Sequence, residues 1–252
     1  MKLKNNYLQF RDSMKAWEGL NELFLFNLPG MDIQRISKAQ YLNDITVFIE
    51  NPLVDPLFDF GRHFNYTHAK WKSLVGNYLN LDKLWLWKQV VEEVKDKKLF
   101  NIACQFDNHH AHGKNCLLSF TVSRKAGIEK PVITAFMRAS EVTKRLICDF
   151  LLLQRIGEYF LGEGNFHLCI HFNQIFNDDT VLLMYHAHKD LFKLEKKHGV
   201  IDYNWHDRLE YLLKCDPSDI KYKVHKRALK VLRPEIFKYP KTLAKDCKLP
   251  LD

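Results

Sequence analysis

Hydrophobic positions recur at two different spacings along this chain, and the alternation between them predicts a mixed α/β protein. Ser13 to Phe26 (SMKAWEGLNELFLF) sets Met14, Trp17, Leu20 and Leu23 or Phe24 at helical spacing, with Ser13 as N-cap and Leu28-Pro29-Gly30 as the stop. Leu81 to Lys95 repeats that spacing behind Asn80, with Leu84, Trp87 or Lys88, and Val91 on one face. Val142 to Leu161 is apolar on most sides, which predicts a central buried helix ended by Gly162 to Gly164. Residues 44 to 50, 99 to 106, 116 to 123, 132 to 138 and 166 to 172 are rich in β-branched and aromatic residues and predict strands. The third and fourth of these are joined by RKAGIEKP, whose Gly and Pro supply turn geometry. Residues 52 to 76 read as loop with short elements, and 178 to 197 as a helix. Past Gly199 the chain is more polar, with helices around 205 to 214 and up to Leu232, then a proline-punctuated tail. With no repeat, low-complexity tract or linker, one domain over 1–252 is the expectation.

Composition narrows this only slightly. Nearly half of the chain is hydrophobic, enough for a sizeable core. Lys and Arg exceed Asp and Glu by 38 to 30, a net +8, which suits an anionic partner such as a nucleotide phosphate. The lysines are scattered over both halves in no block long enough for a nucleic-acid arm, so direct nucleic-acid binding is not expected. No secretory pattern opens the chain and no run approaches the ~18 apolar residues of a membrane helix, so a cytoplasmic protein without membrane attachment is expected. The six cysteines have no close-paired spacing and read as reduced thiols available for chemistry.

The candidate chemistry lies between Cys104 and Asn173. Cys116 heads a strand on which Cys116, Leu118, Phe120 and Val122 would share a face. A nucleophilic thiol there needs a positive neighbour to favour thiolate, and Arg138, ending the apolar run PVITAFMR, is the candidate. An arginine so placed should meet an anion, either a protein carboxylate or a phosphate. Asp149, eleven residues on, lies in an apolar helix, where a carboxylate is an internal hydrogen-bond acceptor or a ligand-reading group. His109, His110 and His112, with His186 and His188, invite a metal reading, but their spacing matches no established zinc pattern and no metal is expected.

Taken in order, these segments resemble the thymidylate synthase and deoxycytidylate hydroxymethylase family. NCLLSFTV is similar to its catalytic cysteine and following strand, MRASEVTKR to its Arg-Ser-x-Asp strand end, and FHLCIHFNQ to its Gly-x-x-His-x-Tyr strand. Upstream, NYTHAKW resembles the Asn-Tyr-Gly…Trp segment, and VEEVKDKKL the helix leading into a pair of arginines. The resemblance is strongest over 62 to 180, weak over 1 to 60, and leaves 199 to 252 as a C-terminal helical extension. It implies one thymidylate synthase-like α/β domain, a mixed sheet with helices on one face, and sheets packed back-to-back in a homodimer.

Residue by residue, the resemblance makes Cys116 the nucleophile that adds to C6 of a pyrimidine, with Tyr66 in the catalytic polar network. Arg138, Lys97, Lys98 and Ser140 would bind the nucleotide, His167 its sugar, and Glu141 and Trp71 the cofactor 5,10-methylenetetrahydrofolate. At the base-reading position the family has Asn in its uracil enzymes and Asp in the cytosine hydroxymethylase; Asp149 therefore implies dCMP. The expected activity is C5 hydroxymethylation of dCMP, of the kind bacteriophages use to modify DNA precursors, in host cytoplasm if viral. The alternatives are a dUMP methylase or hydroxymethylase and a non-catalytic nucleotide-binding protein of the same fold. The chain departs from the family at Leu117, Ala139, Glu141, Arg145 and Cys169.

Overall fold

The computed structural model describes residues 6–26, 32–36, 39–105, 116–178, 191–199, 205–219 and 223–251. Seven strands build one mixed sheet: β1 (Tyr7–Asp12), β2 (Gln34–Ile36), β3 (Ala39–Asn51), β4 (Phe100–Gln105), β5 (Leu117–Arg124), β6 (Val132–Glu141) and β7 (His167–Asn177). Six of them run side by side in the order β1-β3-β7-β6-β5-β4, and β2 pairs with the start of β3. β1 with β3 and β6 with β7 are parallel; the other pairs are antiparallel.

Eight helices are described: α1 (Ser13–Phe26), α2 (Phe60–Phe64), α3 (His68–Tyr78), α4 (Leu81–Val94), α5 (Leu146–Leu161), α6 (Leu191–His198), α7 (Trp205–Lys214) and α8 (Lys223–Leu232). The α/β class and the helices at 13–26 and 81–94 agree with the hydrophobic pattern. Asn80 caps α4 by accepting from the Lys83 amide, as its position predicts. β1 and α3 were not predicted. The helix expected over 178–197 is described only from Leu191 on, and the histidine loop and His186 and His188 lie outside the described residues.

α5 is the centre of the core. Twelve of its sixteen residues are buried, and it contacts α1, α4 and β6. Phe120, Phe150, Phe160 and Phe166 are fully buried here; each aromatic of this kind contributes about 1.5–3 kcal/mol relative to exposure.

The sheet carries an irregularity that the alternation in the sequence does not announce. On β3 the buried side chains are Leu42, then Ile45, Val47 and Ile49; on β7 they are Leu168, Ile170 and Phe172, then Ile175. On β6 they are Ile133, Ala135 and Met137, then Ser140; on β5, read backwards, Val122 and Phe120, then Leu117. Four adjacent strands thus slip by one residue along a single line, at Asp44, Asn173, Arg138 and Leu118. Asp44 absorbs it with a left-handed φ of 52°, a conformation Asp tolerates better than most residues. β3, β7 and β6 slip together and keep their pairing, whereas the β5–β6 register shifts between Leu117 and Ser119. Because a one-residue slip moves side chains to the opposite face, the expected shared face fails at Leu118. It is 39% exposed, and Leu117 is buried in its place.

The C-terminal strap, residues 238–251, is bound to the body through its backbone. Phe60 donates its amide to the Thr242 carbonyl at 2.9 Å, and Ala244 to Phe58 at 3.0 Å. Asp59 Oδ1 caps α2 and also accepts from the Thr242 amide at 3.1 Å. Gly61 is required for this approach, since a Cβ there would lie 1.5 Å from the Pro240 carbonyl oxygen.

Candidate functional site

Cys116 immediately precedes β5, half-buried, and its carbonyl accepts the Arg138 amide at 2.7 Å. Tyr78, at the C-terminal end of α3, lies near enough to the thiol for the two to interact electrostatically. Tyr78 is buried, and burial pushes its hydroxyl well above the usual tyrosine range, with Asp149 and the Cys116 thiol adding to the effect. The phenol is therefore a proton donor. Tyr66 is half-buried, and burial first, then Cys148 and Asp149, raise its hydroxyl as well. That hydroxyl donates to the Lys70 carbonyl at 3.2 Å.

Asp149 is 2% exposed in the first turn of α5. Ser140 donates its hydroxyl to Asp149 Oδ2 at 2.6 Å. This contact depends on the slip in β6, which turns Ser140 towards the helices. Desolvation raises the Asp149 carboxyl from 3.8 to about 7, opposed by the Ser140 hydrogen bond and by the Arg145 guanidinium. Cys116, Tyr66, Tyr78, Ser140, Asp149 and Arg145 thus form one neighbourhood, drawn from α3, α5 and β6 and from the residues just before α3, β5 and α5. Tyr78 and Arg145 were not among the predicted site residues. The amphipathic spacing Trp71, Val75, Tyr78, all three buried, is the signal that would have exposed the former.

The remaining predicted residues are placed differently. Arg138 is on the strand next to Cys116, as expected, but its side chain is exposed, so burial does not force an anion upon it. His167 begins β7, level with Val132, six residues along β6 from Arg138, which is about 20 Å at ~3.3 Å per residue. Its ring packs on Phe48 at 5.4 Å and meets the Glu50 carbonyl at 2.6 Å through Nδ1. It is not brought together with Cys116 within the chain. Lys97 and Lys98 are exposed and lead into β4, whose Phe100 pairs with Arg124 at the far end of β5. That is roughly 25 Å of strand from Cys116.

The two residues expected to touch a folate differ in what they offer. Trp71 is 3% exposed and spends its indole N–H on the Lys248 carbonyl at 2.8 Å, which leaves it no polar group for a ligand. Glu141 is 4% exposed, with Oε1 accepting from the Thr143 hydroxyl at 2.5 Å. Its Oε2 has no hydrogen-bond partner among the described residues. Burial holds this carboxyl above the usual range, opposed chiefly by Lys144. An orphaned buried acceptor fits an N–H donor from a pterin-like ring.

No protein-family model matches the chain, and no curated protein matches it. All six cysteines are free thiols. No group of three or more potential metal ligands occurs among the described residues, and no described helix is long and apolar enough to cross a membrane.

Proposed function

We propose that this protein transfers a one-carbon unit to C5 of a pyrimidine deoxynucleoside monophosphate, with hydroxymethylation of dCMP as its reaction and Cys116 as its nucleophile. The observation that carries the reading is the link through the end of β6, where the Arg138 amide donates to the Cys116 carbonyl at 2.7 Å and Ser140, two residues on, donates its hydroxyl to Asp149 Oδ2 at 2.6 Å. A reactive thiol and a base-reading carboxyl, 33 positions apart in the sequence, then face one ligand.

In this reading the Cys116 sulfur adds to C6 of the ring, and the electrons of the C5–C6 double bond move to C5, making it a nucleophile. Tyr78, kept protonated by its burial, is a proton donor beside the sulfur. Asp149, oriented by Ser140, reads the amino edge of the base. Tyr66 closes the polar wall beside it, and Arg138 and Arg145 supply positive charge for the phosphate. Methylenetetrahydrofolate, when bound, supplies a one-carbon unit at the oxidation level of formaldehyde, and Glu141 Oε2 is the acceptor that would hold it. C5 takes up the methylene carbon and tetrahydrofolate leaves; the C5 proton is lost, water supplies the hydroxyl oxygen, and departure of Cys116 regenerates the aromatic ring. A second reading, a nucleotide-binding protein without the reaction, is favoured by the 2% exposure of Asp149, which limits how much of the carboxyl a base can reach.

The two are separated by incubating the protein with C5-tritiated dCMP or dUMP and methylenetetrahydrofolate. Tritium release from dCMP in preference to dUMP is the expected result. Nucleotide binding with release from neither would leave only the second reading.

We also propose the thymidylate synthase-like arrangement of two sheets packed back-to-back. α1, α4 and α5 cover one face of the sheet, while Tyr7 and Phe136, on the other, are 45% and 40% exposed. Phe136 stacks on the His171 ring at 5.1 Å, so the exposed face carries an aromatic patch at its middle strands. Sedimentation should show a dimer, and Phe136→Asp, which buries no charge in the monomer, should dissociate it. A monomeric wild type would refute the arrangement.

A further inference from the structure

The net charge of the chain is unevenly distributed. Residues 223–252 contain nine Lys and Arg against three Asp and Glu, a net +6 out of the +8 of the whole protein. The other 222 residues are therefore close to neutral, and the apparent scatter of lysines conceals one strongly basic end.

The fold makes a surface of that end. Lys238, Lys241, Lys245 and Lys248 are all exposed, and none of them has a carboxylate partner among the described residues. The backbone between them is held in place. Besides the Thr242 and Ala244 contacts, the Lys245 amide donates to Pro56 at 3.1 Å, Arg155 donates to the Ala244 and Cys247 carbonyls at 2.9 and 3.0 Å, and Trp71 holds the Lys248 carbonyl. Those donors take up backbone acceptors and leave the ammonium groups to solvent. Asp246 is the acidic residue within the row.

We infer that this strap is a docking surface for the phosphodiester backbone of nucleic acid, engaged by Lys238, Lys241, Lys245 and Lys248. A row of ammonium groups on an anchored backbone suits a repeating anion read as charge rather than sequence, because lysine acts as a point charge without the bidentate fork of arginine. A lipid surface fits less well. The apolar residues of α8, Ala228, Leu229 and Val231, are buried in the protein, and Leu249 and Leu251 of the strap pack against the core. Leu249 and Leu251 are thereby withdrawn from insertion between lipid chains. This surface is independent of the chemistry at Cys116, and it revises the expectation that the protein makes no direct contact with nucleic acid.

The test is fluorescence anisotropy of a dye-labelled oligothymidylate, with a duplex of the same length in parallel, titrated with the full chain across a range of salt concentrations. Binding should weaken linearly on a log–log plot, with a slope of about −0.7 per phosphate contacted on the single strand. Replacing all four strap lysines by glutamine should weaken binding at least tenfold and flatten that slope by about 3. A control carrying Lys15→Gln, Lys83→Gln, Lys95→Gln and Lys196→Gln removes the same charge from scattered sites and should bind within about threefold of wild type. Equal losses in the two quadruple variants, no binding by wild type, or preferential binding to phosphatidylglycerol vesicles would overturn the inference. Tritium release by the strap variant, measured in the same preparation, reports on the nucleotide reaction separately.

Discussion

Cys116→Ser is expected to abolish tritium release from C5-tritiated dCMP, by on the order of 10³-fold or more, while leaving nucleotide binding near that of wild type. The reason is chemical. A serine hydroxyl has no accessible anionic form and is a poor nucleophile towards C6, whereas sulfur is intrinsically far more nucleophilic. The substitution is nearly isosteric and half-buried, so the protein should fold. Cys215→Ser, at the end of α7, removes another half-buried thiol and should release tritium like wild type. If Cys116→Ser retained release within about tenfold of wild type, the covalent step would have to be assigned elsewhere or abandoned.

Asp149→Asn is expected to move the selectivity from cytosine towards uracil by about 10- to 100-fold in the ratio of kcat/KM values, the equivalent of one or two mismatched hydrogen bonds. Ser140 makes this prediction directional. Its hydroxyl donates to Oδ2, which in the proposed reaction leaves the other carboxyl oxygen as the acceptor for the 4-amino group of cytosine. In the asparagine variant the amide oxygen takes the Ser140 bond, and the NH₂ is left facing the base, suited to the 4-oxo group of uracil. A wild-type preference for dUMP, or a ratio unchanged by the substitution, would sink this use of Asp149.

The same variant tests the electrostatics of the site. The carboxyl is raised in the folded protein, from 3.8 to about 7, so the native state holds its proton more tightly than the unfolded chain does. Its contribution to stability is present in full below pH ~4 and is lost progressively as pH rises to about 7, amounting to at most ~4 kcal/mol over the window. Thermal midpoints measured from pH 4 to 8 should therefore fall more steeply for wild type than for Asp149→Asn. Parallel curves would mean that the carboxyl is already ionised throughout.

How much of this was legible from the residues varies by element. α1 and α4 are readable because each carries its own amphipathic stripe, and local physics suffices. The cap expected at Ser13 falls to Asp12 instead: the Ser13 hydroxyl has no partner among the described residues, and Asp12 accepts from the Lys15 amide. The β5–β6 hairpin is readable because its turn chemistry and its strands are contiguous. β1 is not, since six residues with a short alternation become a strand only by pairing in parallel with β3, about forty positions away. α3 was lost behind the polar positions His68, Lys70 and Lys72, and Tyr78 was lost with it. Arg138 and His167 illustrate a different limit. Both occur in suggestive motifs, but exposure and position along a strand depend on which neighbours the sheet supplies.

Sequence alone determined the fold class, the central helix with its buried aspartate, and the cysteine at the head of a strand, because those follow from periodicity and from the energetic penalty of burying polar groups. Tertiary structure decided which of them meet. The one-residue slip across β3, β7, β6 and β5 turns Ser140 onto Asp149, and it does so through hydrogen bonds between strands whose partners are distant in the chain. A period-2 pattern carries no record of such a slip, since only neighbouring strands shifting together can accommodate it without breaking the ladder.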